Sequence, residues 1–226
     1  MQNKFLFIVS LLVLLSCNKE KSAPIEYGTL TDQDGNSYKT VKIGTQVWMA
    51  ENLKTVTFCN GDSIPKIVDG LQWNVTSEAM WSVYDMDMQN EEIYGKLYNW
   101  YAAIDERNIC PCGWHVADDQ DWFRLRDFLG GSLIAGSKMK IVGTEYGFPD
   151  DERYSSNESG FSALPSGVMS FDGSSHNLGE IAYFWIACYD SIDRLFYKSV
   201  EKDSDFIGRD KMVSKNVWSS IRCVKN

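Results

Sequence analysis

Hydrophobic and polar positions alternate along the first part of the chain in a way that predicts strands joined by short turns. Residues 38–43 read Tyr38-Lys39-Thr40-Val41-Lys42-Ile43, Gly44-Thr45 breaks the run, and Gln46-Val47-Trp48-Met49 resumes it. Before them, residues 28–31 lead into Asp32-Gln33-Asp34-Gly35-Asn36, so the segment from Tyr27 reads as a β meander. Asp32-x-Asp34 superficially suggests a calcium loop. It lacks the third ligand before the glycine and the glutamate at the twelfth position, so a hairpin turn is expected. The period then changes. Asp118 is placed to cap a helix, Asp119 and Asp121 suit its positive end, and Trp122, Leu125, Phe128 and Leu129 fall on one helical face that predicts core contact. Gly130-Gly131 ends it, giving one main helix over about 118–129, with a shorter piece over 134–140. Residues 143–159 read as a long loop. Strands are expected again at 161–164, 168–169, 181–187, 195–200 and 217–224. Strands on both sides of one strong helix predict an α+β domain with largely antiparallel, mixed sheets and long loops.

The first residues follow another rule. Lys4 precedes an apolar run over 5–15, too short to cross a bilayer comfortably and typical of a signal-peptide core. It ends in Leu14-Leu15-Ser16-Cys17, which resembles the bacterial lipobox. The expectation is removal of residues 1–16, acylation of Cys17, a tether over 17–26 and a single domain over 27–226. More than one acyl chain is needed for stable anchoring. Asn18 in place of Asp points to the outer membrane, and Lys19-Glu20-Lys21 is similar to surface-export signals of Bacteroidetes lipoproteins.

Charge and cysteines narrow the chemistry. With 22 Lys+Arg against 31 Asp+Glu, a net charge of −9 and no basic run, nucleic acid is excluded as an expected partner. The 44% hydrophobic content supports a buried core. With Cys17 set aside, Cys59, Cys110, Cys112, Cys188 and Cys223 remain, an odd set in an oxidising compartment. Cys110-Pro111-Cys112 is a C-x-C, and the chain has only two histidines, so neither a redox helix nor a zinc site is expected. One or two disulfides with one thiol left over fit better, and spacing alone assigns no partners.

Four blocks carry a family resemblance: Trp48-Met49-Ala50-Glu51-Asn52-Leu53-Lys54, Tyr94-Gly95-Lys96-Leu97-Tyr98-Asn99-Trp100-Tyr101-Ala102-Ala103, Cys110-Pro111-Cys112-Gly113-Trp114-His115-Val116, and Ser159-Gly160-Phe161-Ser162-Ala163-Leu164-Pro165-Ser166-Gly167. With the closing Ser220-Ile221-Arg222-Cys223-Val224, the chain resembles the Fibrobacter succinogenes major paralogous domain family. That family is common in lipoproteins and surface proteins and has no agreed activity. More distantly it resembles the C-type lectin-like and formylglycine-generating-enzyme folds. The resemblance implies a lectin-like architecture in which the segment before the helix lies near the last strand, and hence a Cys110–Cys223 disulfide; a bridge through Cys112 is the alternative. Ala117 stands where the family usually has Pro, and Cys59, Cys112 and Cys188 look peculiar to this chain.

No catalytic constellation emerges. His115 lies between Trp114 and Val116, which predicts a buried structural histidine, and His176 lies in a turn-rich loop; neither has a G-x-S-x-G elbow near it. Asp85 with Asp87, and Asp150-Asp151-Glu152, are acid neighbours expected by chance in so acidic a chain. The copper-binding cysteines and calcium signatures of the two related folds are not recognisable, so no metal or cofactor is expected. Eight Trp, eleven Tyr and eleven Phe suit sugar stacking as well as core packing. The expected ligand surface is the pair of loops 143–159 and 171–179, through Tyr146, Phe148, Asp150, Arg153, Tyr154, His176 and Asn177, with coverage of a secondary core as the alternative. The expected function is non-enzymatic binding or adhesion, to a carbohydrate or a surface protein. An assembly part of a surface complex and an enzyme of unknown type on the related fold are the alternatives.

Overall fold

The computed structural model describes residues 24–67, 76–143, 145–149, 153–189, 195–212 and 214–226. Cys17 and Asp150 lie outside them. The elements run β1 (Tyr27–Thr31), β2 (Ser37–Ile43), β3 (Gln46–Met49), β4 (Trp81–Ser82), α1 (Gln89–Tyr94), β5 (Leu97–Tyr98), α2 (Trp100–Ala103), β6 (Trp114–Val116), α3 (Asp119–Phe128) and α4 (Ala135–Met139). Then follow β7 (Ser166–Met169), β8 (Ser175–Leu178), β9 (Ile181–Tyr189), β10 (Leu195–Glu201), β11 (Ile207–Met212) and β12 (Cys223–Lys225). The fold is mixed α+β. One sheet has the order β1-β2-β3-β12-β6 and a second the order β11-β10-β9-β7-β8, with β4 and β5 a separate pair. Pairing is antiparallel throughout except where β7 meets β9 through Gly167 and Ala182.

The predicted meander forms, with Asp32 accepting from the backbone of Asp34 and Asn36 and from the Tyr38 hydroxyl to close its turn. The main helix forms as its cap dictates. The Asp118 carboxylate accepts from the Asp121 N–H at 2.9 Å, and the Asp121 carboxylate accepts in return from the Asp118 N–H at 3.1 Å. α3 packs on the first sheet and the second at once: Trp122 lies 4.9 Å from Trp48, 5.8 Å from Phe161 and 5.6 Å from Phe184, ring centre to ring centre. Phe128 departs from the predicted stripe. It is 64% exposed, because its ring lies over the β2–β3 turn, where Gly44 (φ +62°) leaves room that a Cβ would fill 2.9 Å from the ring.

A second apolar cluster gathers Tyr38, Met49, Trp100, Trp185 and Ile221 around the Cys110–Cys223 disulfide. Strands β2, β3, β6, β9 and β12 reach it along with the loops near 58–64 and 109, and not every contact there is a ladder bond. The Trp185 indole instead donates to the Tyr98 carbonyl at 2.7 Å, and Asn99 caps the single turn of α2. Cys59 and Cys112 form a second disulfide, which leaves Cys188 free among the described residues.

The predicted strand at 217–224 is replaced by a segment that touches every sheet in turn. Trp218 bridges Met169, Ser219 bridges Tyr98 and Ser220 bridges Phe184, before β12 inserts between β3 and β6. The predicted strand at 161–164 is absent for a related reason. The Phe161 and Ser162 carbonyls turn toward the buried Arg222 guanidinium, which donates to them at 2.8 and 2.9 Å, and Ser162 takes φ +55°. Arg222 also donates to the Met49 carbonyl at 2.9 Å and to Asn52 Oδ1 at 2.7 Å. Burial pulls its pKa down to about 9. Among the described residues no carboxylate pairs with it directly; carbonyl dipoles and the Phe161 ring, 4.6 Å away, surround it, and Glu51 acts on it only at a distance.

Candidate functional site

The two loops expected to bind ligand rest on different supports. The described end of the first loop rests on α4, with the Ser156 N–H donating to the Ser137 carbonyl and the Ser159 N–H to the Lys138 carbonyl. Within this loop Phe148 is 1% exposed and belongs to the main core, so the expectation of a ligand anchor is corrected there. Tyr146 is exposed, and its ring meets Tyr94 edge-on at 6.4 Å. Tyr154 is half-buried beneath Arg153 at 5.3 Å and Lys140 at 6.0 Å. The 171–179 turn rests on the segment before α1, where Ser175 Oγ accepts from the Asp85 N–H at 3.1 Å.

In that turn His176 is exposed, with Nε2 2.8 Å from Ser174 Oγ, while Ser174 donates to Asp172 at 2.6 Å. The serine proton is committed to the acid, so the histidine has none to take. This is the reverse of a nucleophile arrangement. Asn177 (φ +63°) donates to the Tyr183 hydroxyl at 2.8 Å.

A further concave surface lies elsewhere. Two hollows of about 420 and 450 Å³ share a wall made of His115 and Asp118. The first is floored by Ile104, Val116 and Ala187 and rimmed by Asp105 and Asn108. The second is lined by Gln46, Gln120, Asp121, Arg124 and Asn226. A third, of about 850 Å³, meets the first at Ile104 and Asp105 and brings in Glu78, Tyr101 and Arg107. Together they form a polar trough with an apolar strip.

Local chemistry fixes its walls. Asn108 holds the loop before β6: its side chain donates to the Trp114 carbonyl at 2.8 Å and accepts from the Cys110 N–H at 3.1 Å, while its carbonyl accepts from the Cys59 N–H. The Cys59–Cys112 bond ties the same loop to residues 57–64. Arg107 forks onto Asp105 at 2.7 and 2.8 Å and holds that carboxyl below the usual range. Asn108, in the trough wall, is thus two residues from Cys110 of the buried bridge and accepts from Cys59 of the partly exposed one.

His115 is half-exposed rather than buried, because β6 is the edge strand of its sheet. Nε2 lies 2.9 Å from Asp121 and Nδ1 lies 2.6 Å from Asn226 Oδ1. Both partners accept, so the ring serves as a double donor. Its hydrogen bond to Asp121 is the main reason its pKa is raised. Asp121 also accepts from Gln46 at 2.8 Å and is held below the usual carboxylate range despite its burial. A ring with both nitrogens engaged by acceptors is a tie between α3, β6 and Asn226, not a general base.

Nor is Cys188 a nucleophile. Its thiol donates to Asp119 at 3.1 Å, and burial pushes its pKa up to about 12. Asp119 is held by Arg209 at 2.5 and 2.7 Å. Among the described residues no group of three or more His, Cys, Asp or Glu side chains is arranged to hold a metal ion. No described helix is long and apolar enough to cross a membrane.

Sequence reasoning missed the trough because its walls come from distant stretches, near 46, 63, 78, 105, 115, 187 and 226. A usable signal was present in Asp105 and Asn108, turn-forming polar residues beside the C-x-C. The Fibrobacter succinogenes major domain matches the chain over residues 41–225. No curated protein and no solved structure matches it. The chain therefore belongs to the Fibrobacter succinogenes major domain family.

Proposed function

We propose that this family member is an exported, lipid-anchored protein of the outer membrane, surface-facing, whose domain has a lectin-like architecture and works as a non-enzymatic binding module for a carbohydrate or a surface protein. The observation that carries the reading is the trough. It presents hydrogen-bonding side chains beside an apolar strip on a disulfide-tied frame, while the one histidine in it has both nitrogens engaged by acceptors. Such a surface suits a polar ligand held by many modest contacts, with the Tyr101 ring offering stacking area and Ile104 an apolar contact. Tyr146 favours a second reading in which the 143–159 loop binds instead, since its exposed ring is backed by Tyr94.

A glycan array and a surface-protein screen with Ile104→Asp and Tyr146→Ala separate the two. The trough reading expects Ile104→Asp to abolish retention and Tyr146→Ala to leave it unchanged; the opposite result moves the site to the loop. Recovery of a stable surface complex without ligand retention would favour an assembly part. Anchoring is tested by mass spectrometry of the N-terminal peptide, which should begin at an acylated Cys17. A mature chain beginning elsewhere would refute it.

A further inference from the structure

Four large apolar side chains stand exposed together where α3 ends. Leu133 is 76% exposed and Phe128 64%, and Ile134 and Phe206 join them. Their closeness follows from local geometry. A Cβ added at Gly130 would meet the Ile134 side chain, the Ile207 N–H donates to the Ser132 carbonyl at 3.0 Å, and the Gly136 N–H donates to the Asp205 carbonyl at 2.8 Å. Residues 205–207 are thereby laid beside the start of α4. Two ion pairs flank the patch, Arg126 with Asp127 at 2.6 Å and Lys138 with Glu158 at 2.8 Å, and Asp205 precedes Phe206 at its edge.

The start of the domain lies at the same end of the first sheet. A Cβ added at Gly160 would touch both Ile25 and Val41, so Ile25 and Val41 are neighbours. Val41 precedes Gly44, on which the Phe128 ring rests, by three residues, about 10 Å of strand. Ile25 and Tyr27 are themselves exposed. The residues between Cys17 and Pro24 span at most about 25 Å even when fully extended. An acylated Cys17 therefore cannot leave this end of the domain far from its membrane.

From this we infer that the patch of Phe128, Leu133, Ile134 and Phe206 is a lipid-facing surface that seats at the boundary of headgroups and acyl chains and fixes the domain's orientation on the bilayer. The inference rests on the proposed anchoring at Cys17. Apolar side chains in an interface of this kind sit about 5–10 Å into the headgroup region, and a partial apolar seat adds to an acyl anchor rather than replacing it.

The test uses the full acylated chain in phosphatidylcholine vesicles containing spin-labelled lipid. An environment-sensitive fluorophore is placed at Leu133→Cys or, as control, at Asp172→Cys in the distant β7–β8 turn, both in a Cys188→Ser background. The expected result is flotation of both proteins with the vesicles and quenching at 133 about threefold stronger than at 172. Flotation with equal quenching at the two sites would overturn the lipid-facing surface and leave the anchor standing. Failure to float would overturn both. Shielding at 133 that rises with protein concentration at fixed lipid would assign the patch to a second copy of the chain and overturn the inference as well.

Discussion

Around α3 the chain packs one helix between two sheets, with Trp48, Trp122, Phe161 and Phe184 in mutual contact; around Trp100 and Trp185 it packs loops and single helical turns, with two disulfides at the border. In the first region the backbone groups are satisfied within α3 and the sheets, and burial of a continuous aromatic layer supplies the cohesion. In the second, strands β2, β3, β6, β9 and β12 meet loops and the single turn of α2, and the loop backbone lacks ladder partners. Side chains such as Asn108 and Asn99 take their place, and covalent links limit the unfolded ensemble. Regular pairing and cross-linking are two answers to one entropic problem. The proposed trough borders the second region through Ala103 and Val116.

Breaking each region by its own means should expose the difference. Replacing Cys110 and Cys223 together by Ser removes a link across 113 residues. It should cost about 4–5 kcal/mol in the chain-entropy treatment, read from urea denaturation. Amide exchange should then rise first in residues 97–116, while α3 and β9 keep their protection. Uniform loss of protection would show that the two regions unfold as one unit.

Trp122→Ala attacks the other side. It should cost about 3–5 kcal/mol through the cavity it leaves, with a cooperative loss of both sheets in thermal unfolding. The Cys59–Cys112 bond gives a smaller, local effect. Both its cysteines reach solvent, whereas Cys110 and Cys223 are fully buried, so mild thiol reductant should open it first. Alkylation mapping should find Cys59 and Cys112 modified while the domain stays folded.

The smallest effect expected is that of pH. The His115 pKa is raised in the fold, so its tie to Asp121 is fully present below the unfolded value, about pH 6.5, and is lost as pH rises through the folded value. Asp121 is depressed, so its share is present above about pH 4 and lost as pH falls through its folded value. The His115 share of stability should therefore fade as pH rises from about 6.5 through the folded value. His115→Gln should flatten that decline by less than about 1 kcal/mol, since the pair is screened by solvent.

The part of the fold that packs regularly was largely legible beforehand. Asp118 as cap, the spacing of Trp122 and Leu125, and Gly130-Gly131 marked α3 to within a residue or two, and the alternation from Tyr38 to Met49 marked β2 and β3. Phe128 was misplaced because periodicity finds a stripe but not where the core beneath it ends. β11 escaped because Gly208, Arg209, Asp210 and Lys211 carry no apolar alternation. α1 and α2 are too short to show a period. Residues 161–164 read as a strand because the sequence does not reveal that Arg222 claims their carbonyls. The trough was least legible of all, being made by the folding together of loops.

The bridges made by residues 218–220 and the insertion of β12 set a schedule for biosynthesis. A chain emerging from its N terminus completes β1 to β3 early, yet the first sheet waits for β12 to join them to β6, and the carbonyls of Met49, Phe161 and Ser162 wait for Arg222. Nearly two hundred residues separate β1 from its sheet's closing strand. The second sheet, by contrast, has all its strands by Met212, so the last residues synthesised are the ones that join the two sheets.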